Sequence, residues 1–143
     1  MTILIDADGC PVVDITVKMA AKLRINCVIL CDASHVFEKP GVKTITVSTG
    51  SDSVDFALVN MVQAGDVVVT QDYGLAAMCL ARRAVPLSQN GMVYTNDNID
   101  ALLHERHISK KIRMSGGRLK GPSKRTAEQD ATFTRVLKAI LTE

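Results

Sequence analysis

The sequence predicts an α/β fold, namely a three-layer α/β/α sandwich with a central, mainly parallel sheet. Two observations favour this fold. Short apolar segments alternate with longer segments of near-helical periodicity along the 143 residues of the chain. The short segments are apolar along most of their length, as in parallel strands that helices cover on both faces. The length and an apolar content of 47% suit one domain over residues 1–143.

Five strands are predicted from short apolar runs, and several of these runs lead into an acidic residue. Residues 2–5 (TILI) precede Asp6, and residues 66–70 (DVVVT) precede the pair Gln71-Asp72. Residues 91–94 form a further extended piece, outside the five strands. The predicted strands cover residues 2–5, 27–31, 43–47, 66–70 and 85–87.

Helices are predicted where apolar residues recur at helical spacing between and after the strands. Pro11 suits the first turn of the first helix, and Ser51 with Asp52 forms a cap for the second. The last helix has an amphipathic pattern around Phe133. The predicted helices cover residues 12–24, 51–63, 73–83, 98–107 and 127–141, with a loop at 115–125 and a loop or short helix at 35–42.

Charge is distributed unevenly along the chain. Residues 1–103 carry 7 Lys or Arg and 11 Asp or Glu, a net charge of −4. Residues 104–143 carry 10 Lys or Arg and 4 Asp or Glu, a net charge of +6. An acidic body with a basic C-terminal third fits a metal site beside a phosphate-binding surface, and a merely solvated surface would give the same counts.

Composition also excludes several classes of protein. No apolar run approaches the roughly 20 residues of a membrane span, and the N-terminus lacks the pattern of a signal peptide. We therefore expect a cytoplasmic protein with no membrane partner. The four cysteines should be free thiols, because a cytosolic domain of this size needs no disulfides. Aromatic residues make up 3% of the chain, which argues against a binder built on stacking platforms.

Carboxylates fall where a parallel sheet gathers its ligand-binding residues. Asp6 and Asp72 follow two predicted strands, and the carboxyl ends of parallel strands meet at one edge. Asp8 can turn back toward that edge, and Asp52 and Asp55 share one face at the start of the second helix. Crowded carboxylates repel unless a cation binds between them, and a hard cation such as Mg²⁺ or Mn²⁺ takes oxygen ligands. Such a site can activate water against a phosphodiester. Alternatively, Asp52 only caps a helix and Asp72 only ends a strand.

Five ordered motifs resemble the uncharacterised bacterial YaiI/YqxD family, which is grouped with PIN-like domains, metal-dependent nucleases of the FEN/PIN type. The motifs are IDADGCPV at residues 5–12, GSDSVD at 50–55, GDVVVTQDYGLA at 65–76, NGxxYT at 90–95 and GPSKRTxxxDxxF at 121–133. The resemblance implies a single PIN-like domain over residues 1–143, including the basic loop 113–125 and the helix 127–141. It also implies an acidic cluster that binds Mg²⁺ or Mn²⁺ to cut RNA or DNA.

Carried over by position, the resemblance makes Asp6, Asp55 and Asp72 catalytic and adds Asp8 to the metal ligands. The residues implied around them are Asp52, Asp130, Thr70 and Ser51; Asp130 alternatively bonds the loop 121–126. PIN domains have a last acid after the fifth strand. Here the corresponding stretch near 96–98 offers only Asp97, flanked by Asn. The residues expected to contact phosphates of nucleic acid are Arg113, Arg118, Lys120, Lys124 and Arg125.

The sequence therefore predicts a metal-dependent nuclease-like protein that hydrolyses phosphodiester bonds of nucleic acid, RNA in preference to DNA. The first alternative is a non-catalytic PIN-like module that binds metal and nucleic acid. The second alternative is a phosphatase of the haloacid dehalogenase type, because Asp6-x-Asp8-Gly9 matches its D-x-D-G start with Asp6 as the nucleophile. Whether the protein forms a homodimer stays open at this point.

Overall fold

The computed structural model describes residues 1–33, 38–48, 53–116 and 124–143. Its five strands form one sheet in the order β3-β2-β1-β4-β5, and every pairing within it is parallel. This confirms the predicted α/β class. The strands are β1 (Thr2–Asp6), β2 (Asn26–Asp32), β3 (Lys43–Val47), β4 (Val67–Val69) and β5 (Val85–Leu87). The helices are α1 (Val13–Leu23), α2 (Ser53–Met61), α3 (Tyr73–Ala81), α4 (Asn96–Met114) and α5 (Ala127–Leu141).

Successive side chains of β1 pack into two different core clusters, which explains why the central strands are apolar at consecutive positions. Ile3 and Ile5 belong to a core cluster that also contains residues of α1 and α5, including Phe133. Leu4 belongs to a second cluster, which contains residues of α2 and α3 such as Leu58. Successive side chains of a strand point to opposite faces, so helices cover both faces of the sheet. The three layers of the predicted sandwich are thereby confirmed.

The sheet order places a crevice at the carboxyl ends of β1 and β4. The chain passes from β1 through α1 to β2 on one side, and from β4 through α3 to β5 on the other. Ligands bind in α/β sheets at such a switch point, where neighbouring strands send their connections in opposite directions. Asp6 is the last residue of β1 and stands two positions after Leu4, on the α2 and α3 face.

Two predicted elements differ from the structure. The helix predicted at 98–107 runs from Asn96 to Met114, because no Gly or Pro interrupts it before Gly116, which has a φ of +85°. The extended piece predicted at 91–94 forms only an isolated antiparallel bridge between Leu87 and Val93. Within the described ranges, none of the helices is both long and apolar enough to cross a membrane.

Candidate active site

Thr70 joins the two strand-end acids that the sequence predicts. Its hydroxyl donates a hydrogen bond to Asp6 Oδ2 at 2.7 Å and accepts one from the backbone N–H of Asp72 at 3.0 Å. Thr70 is buried, and its carbonyl oxygen accepts a hydrogen bond from the hydroxyl of buried Tyr94 at 3.1 Å. The hydroxyl contribution predicted for Thr70 is therefore present, and it fixes one oxygen of Asp6 at the edge of the sheet.

Asp6 is a carboxyl group in an environment that disfavours its charge. Burial raises the pKa of Asp6 above its ordinary value of 3.8, and the hydrogen bond from Thr70 opposes this shift. The negative charges of Asp72 and Asp8 raise the pKa further. These two acids lie close enough to Asp6 to repel it, which is the crowding that the sequence predicts at this edge. A cation at this edge would relieve the repulsion.

Asp72 caps α3 in addition to following β4. Its Oδ1 accepts a hydrogen bond from the backbone N–H of Leu75 at 3.1 Å. The same oxygen lies 3.5 Å from Nη1 of Arg106 in α4, and the arginine side chain is 61% exposed. The sequence does not predict this contact, because Arg106 lies 34 positions after Asp72 and near the end of the predicted helix 98–107.

Asp8 and Asp55 approach the edge from different elements. Asp8 Oδ2 accepts a hydrogen bond from the backbone N–H of Asp32 at 3.0 Å, and this bond ties the turn after β1 to the end of β2. Asp55 lies in the first turn of α2. Burial raises the pKa of the Cys79 thiol to about 12, and the charges of Asp55 and Asp6 add to the shift. The charges of both acids therefore act on the same thiol in α3.

A small cleft opens beside Asp6, with a volume of about 50 Å³. That is space for a few water molecules, each of which needs roughly 10–15 Å³ by this measure. Five of its eight lining residues carry polar side chains that can contact a small polar species. Its lining residues are Asp6, Asp8, Gly9, Cys10, Val69, Thr70, Gln71 and Gln89.

Two glutamines, Gln71 and Gln89, line the cleft near the carboxyl ends of β4 and β5. The residues that directly follow β5 are Ser88 and Gln89, and Gln89 lines the cleft. The Gln71 side-chain oxygen accepts a hydrogen bond from the Gln89 backbone N–H at 2.7 Å, which holds the two loops together. Asp97 lies instead in the first turn of α4 and is exposed. The last acid that the family resemblance implies near 96–98 stays a prediction.

Arg125 is fixed by three acceptors inside the fold. Its Nε donates to Asp130 Oδ1 at 2.6 Å, its Nη1 to Asn90 Oδ1 at 2.7 Å and its Nη2 to the Gln89 carbonyl at 2.7 Å. The side chain is 20% exposed. Asp130 thus bonds the loop before α5, which was the second of its two predicted roles. Arg125 holds Gln89 in the wall of the cleft through these bonds, so the geometry favours positioning over direct phosphate contact.

The predicted acids do not form a closed metal cage. Within residues 1–33, 38–48, 53–116 and 124–143, no three His, Cys, Asp or Glu side chains are grouped so that they could hold a metal ion. The carboxylate of Asp72 is engaged in the cap of α3, and that of Asp8 binds β2. The remaining predicted site residues Ser51, Asp52, Arg118 and Lys120 lie outside the described residues.

Comparison with known proteins identifies the family. Residues 4–143 match the family model described as "Uncharacterized BCR, YaiI/YqxD family". The chain belongs to the YaiI/YqxD family. Its relatives include a UPF0178 protein of Exiguobacterium sibiricum, 52% identical over 143 residues that cover 100% of this chain and 98% of the relative. A UPF0178 protein of Clostridium acetobutylicum is 45% identical over 143 residues, which cover 99% and 97% of the two chains.

The fold of this YaiI/YqxD family member is similar to that of a solved structure. The crystal structure of a mutant of Rae1 (YacP) from Bacillus subtilis matches with a TM-score of 0.50 and 12% sequence identity. The match covers 99% of this chain and 98% of the other. At this identity the likeness concerns the fold alone, and it agrees with the three-layer α/β/α architecture described above.

Removing the guanidinium of Arg125 should destabilise the fold. Arg125→Met keeps much of the side-chain volume but leaves Asp130, Asn90 and Gln89 without their donor, and hydrogen bonds to charged groups contribute about 1.5–3 kcal/mol each. We expect the free energy of unfolding in urea to fall by about 2 kcal/mol or more. Lys124→Met is the matched control, because it removes the same charge from an exposed neighbour. Equal effects of the two changes would contradict the positioning role.

Proposed function

We propose that this protein is a metal-dependent nuclease that hydrolyses phosphodiester bonds of nucleic acid, RNA in preference to DNA. The observation that carries the proposal is the state of Asp6. This carboxyl group is largely buried, is repelled by Asp72 and Asp8, and lines a small cleft at the switch point of the sheet. A buried acid with a raised pKa in a cleft is typical of functional sites.

Mg²⁺ or Mn²⁺ is the cofactor that fits the donor chemistry, because every ligand we assign offers carboxylate oxygen. The assigned ligands are Asp6, Asp8, Asp55 and Asp72. Since no three of them are grouped within the described residues, we propose that they gather around the cation as it binds. When bound, such a cation supplies an activated water and neutralises charge on the phosphodiester.

The chain's own groups are assigned to orient the acids and the substrate. Thr70 holds Asp6 by its hydroxyl, and Arg125 holds Gln89 in the wall of the cleft. Among the basic residues expected to contact phosphates, Arg113 and Lys124 are exposed. These two cations are available for contacts that position a nucleic acid without reading its sequence. A single domain over residues 1–143, a cytoplasmic location and any homodimer stay predictions.

A non-catalytic module that binds metal and nucleic acid is the second candidate. The specific observation in its favour is that Asp72 Oδ1 is shared by a helix cap and Arg106. The phosphatase alternative needs Asp6 to attack phosphorus. The hydrogen bond from Thr70 lowers the nucleophilicity of this carboxylate, and the raised pKa lowers the fraction of it that is ionised.

The test is a titration of Mn²⁺ and Mg²⁺ into the purified protein by calorimetry, followed by incubation with single-stranded RNA and DNA. We expect saturable binding of the cation and cleavage that EDTA abolishes. Binding without cleavage would support the non-catalytic module instead. Transfer of labelled phosphate onto Asp6 from a phosphomonoester would support the phosphatase. No binding at millimolar cation would overturn the metal site.

A further inference from the structure

The C-terminal half of α4 stands apart from the body of the protein. In the first half of the helix, Ile99 is buried and packs with α3 residues such as Ala76. From His104 to Met114 every residue is exposed except half-buried Ser109. We call residues 104–114 the α4 arm. An exposed helical segment of this kind is kept for a partner or is stabilised only by its own local contacts.

A cationic stripe continues the packed face of α4 along the arm. Ile99, Leu102 and Leu103 make up the face that packs with α3. Helical spacing of 3.6 residues places Arg106, Lys110 and Arg113 on the continuation of this face, since each follows the previous residue by three or four positions. The face thus changes from apolar to basic where the helix leaves the body.

The stripe begins at the candidate active site. Nη1 of Arg106 lies 3.5 Å from Asp72 Oδ1, and the arm then extends about 12 Å from Arg106 to Met114 at about 1.5 Å per residue. The arm carries four Lys or Arg against one Glu, a net charge of +3, whereas residues 1–103 carry −4. A row of cations leading to an acidic site complements a polyanion whose backbone enters that site.

We infer that the α4 arm binds the phosphate backbone of the nucleic acid strand and guides it to Asp6 and Asp72. This inference deepens the proposed function and rests on its nucleic-acid partner. Arg106, Lys110 and Arg113 contact successive phosphates, and Arg106 is the cation nearest the cleft. Side chains of this kind neutralise phosphates without reading bases, so the arm sets affinity and salt dependence.

The opposite side of the arm carries two exposed isoleucines, which could bind a different partner. Ile108 is 44% exposed and Ile112 is 37% exposed, and four residues separate them, so they share a side away from the cationic stripe. A protein partner or a second copy of the chain would use these isoleucines. Charge complementarity favours the nucleic acid, because the arm carries four cations and only two exposed isoleucines. One of these cations, Arg106, already reaches the candidate site.

The experiment measures binding of a fluorescein-labelled single-stranded RNA by anisotropy in EDTA, between about 50 and 200 mM salt. The test variant is the double change Lys110→Gln with Arg113→Gln, which spares every residue assigned to the metal. The control is Lys18→Gln with Lys22→Gln, which removes the same charge from exposed positions of α1, across the sheet from α3. Urea unfolding of each variant verifies that the fold is retained.

We expect the arm variant to reduce the magnitude of the negative slope of log affinity against log salt by about 1.4, since each phosphate contact on a single strand contributes about 0.7. The control should leave the slope unchanged. Equal slopes for the two variants overturn the inference. A second result also overturns it: the parent self-associates, Ile108→Ser abolishes that self-association, and the arm variant still binds RNA. EDTA prevents cleavage during the binding measurement, so the arm is tested independently of catalysis. A parent protein that binds RNA in EDTA but does not cleave it when Mn²⁺ is present contradicts the nuclease proposal and leaves the arm inference standing.

Discussion

Asp6→Asn should abolish metal-dependent cleavage while leaving the fold intact. Loss of a residue that merely supports a metal ligand costs 10- to 100-fold in activity or affinity, so loss of the central ligand should lower the cleavage rate by at least about 100-fold. Asparagine has nearly the same shape and can still accept the hydrogen bond from Thr70. The cleavage rate with Mn²⁺ and the affinity for Mn²⁺ should therefore fall together.

The same variant should be more stable than the parent in metal-free buffer at neutral pH. The folded-state pKa of Asp6 lies above its ordinary value of 3.8, so the native state holds the proton more tightly than the unfolded chain. The free energy of unfolding then falls as pH rises from about 3.8 through the folded-state pKa. Asparagine removes this loss. The stability difference should be absent below pH 3.8 and fully present above the folded-state pKa.

Asp14→Asn is the matched control for both measurements. Asp14 is an exposed residue of α1, and Lys39 Nζ contacts its Oδ1 at 2.7 Å and lowers its pKa. Its ionised form is favoured in the fold, so the amide should lose a little stability at neutral pH instead of gaining it. Cleavage should be unchanged. An Asp6→Asn protein that cleaves as fast as the parent would remove Asp6 from the mechanism.

Phe133→Ala should give the largest loss of stability among single changes in α5. Phe133 is 0% exposed and packs in the cluster between α1, α5 and the sheet. Truncation of a buried Phe to Ala removes the transfer free energy of the ring and leaves a cavity, for a loss of about 3–5 kcal/mol. We expect the midpoint of urea unfolding to shift accordingly, with an unchanged slope.

Arg135→Ala provides the comparison within the same helix. Arg135 is exposed and two positions away, so its change should alter the free energy of unfolding by less than about 0.5 kcal/mol. A loss below about 1 kcal/mol for Phe133→Ala would mean that α5 is not fixed to the core. In that case the α5 start, with Thr126 as its cap and Asp130 as the Arg125 acceptor, would no longer be held beside the cleft.

The sheet could be predicted from sequence because its signals are local. Residues 2–5 and 43–47 were predicted within one residue of β1 and β3, since apolar runs with defined ends determine a buried strand. The end of α4 was wrong by seven residues, because the residues after His107 bury no apolar face. Its start was set by a capping box between Thr95 and Asn98, a signal present in the sequence but not used.

The site could be predicted only in part, for reasons of distance along the chain. The sequence predicts Asp6 and Asp72 at one edge on the assumption that the strands before them are parallel, and β1 and β4 are indeed parallel neighbours. The contacts that decide their chemistry are nonlocal: Thr70 bonds Asp6 across 64 residues, and Arg125 bonds Asn90 across 35. Spacing rules for helices and strands do not reach such pairs. Gln89 was missed for the same reason, since only the fold brings it to the cleft.

The cap formed by Asp72 has a consequence for the conformational entropy of cation binding. A free carboxylate side chain loses its rotamer freedom when it becomes a ligand, and that loss opposes binding. In this fold Leu75 and Arg106 already hold Oδ1 of Asp72, so the side chain is ordered before any cation arrives. Oδ2 is then presented by a preorganised group, and this ligand adds little entropic penalty. The backbone of α3 thereby sets the orientation of an acid in the candidate site.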